Sequence, residues 1–68
     1  MELTETQWDL VDGLRAFGIK DSGIPAILTL LISEEAQNRM IDWMLDHEKA
    51  STQEIINKAI ELRGQYGD

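Results

Sequence analysis

Ile24-Pro25-Ala26-Ile27-Leu28-Thr29-Leu30-Leu31-Ile32 is a nine-residue stretch in which only Pro25 and Thr29 are not apolar. A segment that is apolar all round has no side suited to water, so as a helix it must be enclosed by other elements. It falls well short of the roughly 20 apolar residues a helix needs to cross a bilayer, so the expected enclosure is protein and not lipid. A fully buried strand would show the same pattern, and periodicity alone does not separate the two. Helix is the better reading. Asp21-Ser22-Gly23 supplies start residues, Pro25 is compatible with a first helical turn, and no second strand candidate exists to pair with. The stretch therefore predicts a helix over about residues 23–32 that sits centrally, with the rest of the chain packed around it.

On its N-terminal side, Thr4-Glu5-Thr6-Gln7 has the spacing of a capping box, and Leu3 and Trp8 occupy the two positions of a hydrophobic staple. Leu10, Val11, Leu14 and Phe17 then recur at helical spacing, which predicts a first helix over about residues 5–17. Gly13 within it lowers helix propensity by about 1 kcal/mol relative to Ala and marks a candidate close crossing by another helix. Phe17-Gly18-Ile19 reads as a stop in which Gly18 takes the left-handed conformation and Ile19 folds back on Leu14.

On the C-terminal side, Ser33 offers an N-cap for Glu34-Glu35, two acids suited to the positive end of a helix. The sequence allows a break at Ser33 or one long bent helix there, and the cap favours the break. A third helix follows over about residues 34–48, with Ala36, Met40, Trp43, Met44 and His47 on one face and Ile41 and Leu45 widening it. Such a broad face implies either two neighbouring helices or surface left for a partner. Ser51-Thr52-Gln53-Glu54 is a second capping box, opening a fourth helix over about residues 52–63 that carries Ile55, Ile56, Ala59, Ile60 and Leu62. Glu54 and Lys58 are spaced for an i, i+4 ion pair. Gly64 reads as its stop, leaving residues 64–68 as a loose tail. The fold expected is all-α: one domain over residues 1–68, a compact bundle of four short helices with the second one central.

At 68 residues without cysteine, no disulfide supports the core, which must rest on tight helix packing, oligomerisation or both. The absence of cysteine fits a reducing compartment, and no basic region followed by an apolar stretch opens the sequence, so no signal peptide is expected and the cytoplasm is the expected location. Thirteen acidic and six basic side chains give a net charge of -7. That balance repels nucleic-acid phosphates and suits a basic protein partner, although it also serves solubility alone.

The chemistry-bearing residues are few. His47 is the single histidine. With Asp42 and Asp46 it lies on one helix, which alone cannot converge three ligands on a metal, so the expected role is interaction with the helix terminus. The glycines fall singly and form no phosphate-binding loop. No catalytic residue, metal or cofactor is assigned. Trp8 and Trp43 could line a pocket, but they stand at core spacing and are expected inside. Met40, Ile41, Trp43 and Met44 are the candidate interaction or self-association patch, because methionine packs adaptably and is common at binding surfaces, although plain core is the stronger reading. Glu5, Asp9 and Asp12 form a candidate acidic stripe on one side of the first helix, as a solvated face or, less readily, as a mimic of DNA phosphates.

Thr52-Gln53-Glu54-Ile55-Ile56 followed by Ala59 resembles the first helix of bacterial helix-turn-helix units. The resemblance covers about ten residues and implies a following recognition helix with basic groups, which this sequence lacks. Pairing the second and third helices instead would set Glu34, Glu35, Asp42 and Asp46 against phosphates. The functional expectation is a small acidic helical protein–protein interaction module without catalysis. It would have a basic protein partner or form a homodimer, with no membrane or nucleic acid engaged. The alternative is a helix-turn-helix-like, transcription-related protein binding DNA or a DNA-binding partner.

Overall fold

A computed structural model describes residues 2–66. Among these residues there are four helices and no strand: α1 (Glu5–Ala16), α2 (Ile24–Leu30), α3 (Glu34–Asp46) and α4 (Thr52–Tyr66). The all-α bundle has the expected element order, and the break at Ser33 is present.

The ends of the helices are set by local chemistry. At α1, Gln7 N–H donates to Thr4 Oγ1 (3.1 Å) and Thr4 N–H donates to Gln7 Oε1 (2.8 Å), completing the box. Gly18 adopts φ 87°, with Gly18 N–H donating to Arg15 O (3.0 Å) and Ile19 N–H to Leu14 O (3.1 Å). This is the Schellman pattern, and it buries Ile19. Ser33 accepts from Ala36 N–H at α3, and Ser51 and Glu54 exchange reciprocal bonds of 3.2 Å at α4. Because Glu54 is committed to that cap, Lys58 pairs with Glu61 (3.0 Å) and not with Glu54 as the spacing suggested.

α1 packs against α3, α3 against α4, α4 against α2 and α2 against α1, so the helices form a ring in which α2 and α3 stand at opposite corners. Leu10, Leu14, Leu31, Met40 and Ile55 are fully enclosed between them. A Cβ built on Gly13 would lie 2.9 Å from Met44 Cε, the flexible end of that side chain, so the Met44 methyl fills the space the glycine leaves open where α3 crosses α1. The anticipated crossing is therefore between α1 and α3.

Two expectations require correction. The second helix is not enclosed: Ile24, Ile27 and Leu31 enter the core, while Pro25, Ala26 and Thr29 face solvent and Ile32 is 63% exposed. Seven residues span only about 10 Å, too short a helix to be wrapped by three others, and the residues of α2 that are not apolar, Pro25 and Thr29, share the outward side. The fourth helix does not stop at Gly64 but runs to Tyr66, whose ring packs on the core and lies under the Arg39 guanidinium at 5.7 Å. That contact from α3 holds the last turn in place of the loose tail expected from residue 64; residues 67 and 68 lie outside the described residues.

Candidate functional site

Met40 and Met44 do not form a surface patch. Met40 is fully buried and Met44 is 4% exposed, because α3 packs against both α1 and α4, whereas Leu45, at the edge of the same helix, stays 70% exposed. Ile41 and Trp43 are half-buried against the same core. Trp43 also stacks on His47 with ring centroids 4.3 Å apart, and His47 Nδ1 lies 2.8 Å from Trp43 O. His47 thus closes the C-terminal end of α3. Among the described residues, no three His, Cys, Asp or Glu side chains converge as a metal site requires.

The large exposed apolar side chains are Trp8 and Ile32 on the α1–α2 side, Leu45 on α3, and Ile56 and Ile60 on α4. A groove of about 660 Å³ runs between α1 and α2. One wall is the α1 edge, Leu3, Trp8 and Val11; the other is the outer side of α2, Pro25, Leu28, Thr29 and Ile32, spaced i, i+3, i+4 and i+7. Trp8 is 51% exposed, contrary to its expected place in the core, and Ile32 more so. Arg15 Nε donates to Asp21 Oδ1 (3.1 Å), and this solvent-exposed pair closes the groove where the chain turns from α1 into α2. Among the described residues that line the groove, Arg15 is the one cation, and it is already paired.

Glu5, Asp9 and Asp12 are all exposed. Glu5 precedes Trp8 by three residues and Asp12 follows it by four, so both carboxylates neighbour the indole on the helix surface and Asp9 lies beyond them. The acidic stripe therefore borders the groove along its α1 side. No known family, curated protein or solved structure matches the chain.

The shape of the groove depends on one residue that sequence reasoning passed over. Gln37, 4% exposed, donates from Nε2 to Leu31 O (2.8 Å) and Ile32 O (3.4 Å). These carbonyls lie just beyond the end of α2, where the helical ladder no longer provides donors. By holding them, Gln37 fixes the bend that buries Leu31 and turns Ile32 outward. The signal available in the sequence was a glutamine one position after Ala36 on the inward face of the third helix. For the groove, the signal was the four-residue spacing of Pro25 and Thr29, which marks one side of the apolar stretch as the side tolerant of water.

Proposed function

We propose that this protein is a non-catalytic interaction module that receives a protein partner in the groove between α1 and α2. The observation that carries the reading is the pair of large apolar side chains, Trp8 and Ile32, left substantially exposed at opposite walls of one concave surface. Exposed apolar groups gathered in a groove, in contrast to ones scattered singly, characterise binding surfaces, and tryptophan in particular is enriched among residues that dominate binding energy. Self-association through the same surface is opposed by the net charge of -7 on each copy. The helix-turn-helix reading gains no support, since α2 and α3 occupy opposite corners and α3 opens with Glu34 and Glu35.

The test is site-specific photo-crosslinking in cells that naturally express the protein, with the reactive group placed at Leu28 and, as a control, at Asn57 on the exposed side of α4. The expected outcome is a discrete adduct with another polypeptide from position 28 only. Equal labelling from both positions, or labelling from neither, contradicts the proposal, and an adduct of twice the chain mass would replace it with self-association.

A further inference from the structure

We infer that the partner element is a basic amphipathic α-helix, seated with its apolar side in the groove and its cationic edge along α1. The inference rests on the groove being the binding surface and adds what fills it. Length is the first argument. At 1.5 Å per residue the helical part of each wall, Ile24 to Leu30 on α2 and Glu5 to Arg15 on α1, extends roughly 10 to 15 Å, or about two to three turns of a docked helix. Its lining is apolar along the middle, as a docked helix presenting side chains at i, i+3, i+4 and i+7 requires.

Charge is the second argument, and it is one-sided. Glu5 and Asp12 are exposed and lie outside the groove lining, but their spacing sets them beside Trp8 on the α1 side with Asp9 beyond, while the opposite wall offers only the neutral Pro25, Leu28, Thr29 and Ile32. A helix lying along α1 would meet this row with cations along one edge, two of them about two turns apart to face Glu5 and Asp12. Its other edge would be uncharged. An acidic helix would face the same row with like charge, which selects against it.

Four synthetic peptides of equal length serve as probes: one with a leucine face and a lysine edge, the same peptide with glutamine or with glutamate replacing lysine, and the lysine peptide interrupted by proline. Binding is followed by titration calorimetry at two salt concentrations. The lysine peptide is expected to bind tightest and to weaken with salt. Ile32→Glu, at an exposed position, should weaken it by about tenfold or more, as loss of an interface anchor does. The combined variant Glu5→Gln, Asp9→Asn, Asp12→Asn should weaken it by about fivefold, on the scale of screened surface ion pairs, and remove most of the salt dependence. If the glutamine and glutamate peptides bind as tightly as the lysine peptide, and Ile32→Glu weakens all of them, the basic partner is overturned while the groove stands. Equal binding of the proline-interrupted peptide overturns the helical partner. Should Ile32→Glu leave the binding of every peptide unchanged, the groove and its occupant both fall.

Discussion

α3 is more than half polar in composition, yet it places Ala36, Gln37, Met40 and Met44 in the interior, whereas α2 is apolar but for Pro25 and Thr29 and turns that side to solvent. Both helices pack against α1 and α4, and their hydrophobicity does not explain the difference; their lengths do. α3 is long enough to be flanked by α1 on one side and α4 on the other. α2, at seven residues, meets α1 and α4 only along its inner side and leaves Leu28 and Ile32 beside an open groove. Burial is thus decided by what each helix can reach. Apolar residues that its neighbours do not reach, such as Ile32, stay exposed beside the groove.

The contrast between the two helices can be tested by substitution. Met40→Ala removes a fully enclosed side chain from α3 and should cost about 2–5 kcal/mol, enough to unfold much of a domain this small, while Leu28→Ala on α2 should cost less than about 1 kcal/mol; urea denaturation measures both. A Leu28→Ala cost equal to that of Met40→Ala would erase the distinction. Gln37→Leu should cost about 1–3 kcal/mol by the same measurement, because Leu31 O would be left buried without its donor. That loss concerns the bend which separates the two helices, so an unchanged midpoint would show that the bend is held by something else.

The seams that α1 makes with each helix sharpen the comparison further. Gly13→Leu drives a large side chain toward Met44 at the closed α1–α3 seam and should cost about 1–3 kcal/mol, whereas Thr29→Leu adds a similar group beside the open groove and should shift stability by less than about 0.5 kcal/mol. One effect has the opposite sign. Gly64→Ala should stabilise the protein by about 0.5–1 kcal/mol, because a Cβ there meets nothing within 4 Å and the position is helical. A loss of stability instead would restore Gly64 as a helix stop.

Which features could be read from the sequence follows from how far apart the deciding atoms are. Thr4 with Gln7, Ser51 with Glu54, and Gly18 with Ile19 act within a few residues of each other, so their capping roles were legible from spacing alone. The same holds for the side of α3 that turns inward. Whether that side would meet one helix or two depended on where α1 and α4 came to lie, and so a surface role for the methionines stayed open beside the core reading that their burial supports. Gly64 was misread for a related reason: the last turn is held by Tyr66 against the core and under Arg39, a residue far away in sequence. The acidic stripe was visible as a pattern. Its position beside a groove was not, because α2 forms the second wall.

Solvent paramagnetic relaxation in NMR, with a neutral soluble agent, compares the two surfaces in one experiment without altering the chain. The Trp8 indole and the Ile32 δ1 methyl should broaden strongly while the Met40 and Met44 ε-methyls stay sharp. Protected Trp8 and Ile32 signals in a monomer, with broadened methionine methyls, would mean that the helices are arranged the other way round and that the groove does not exist.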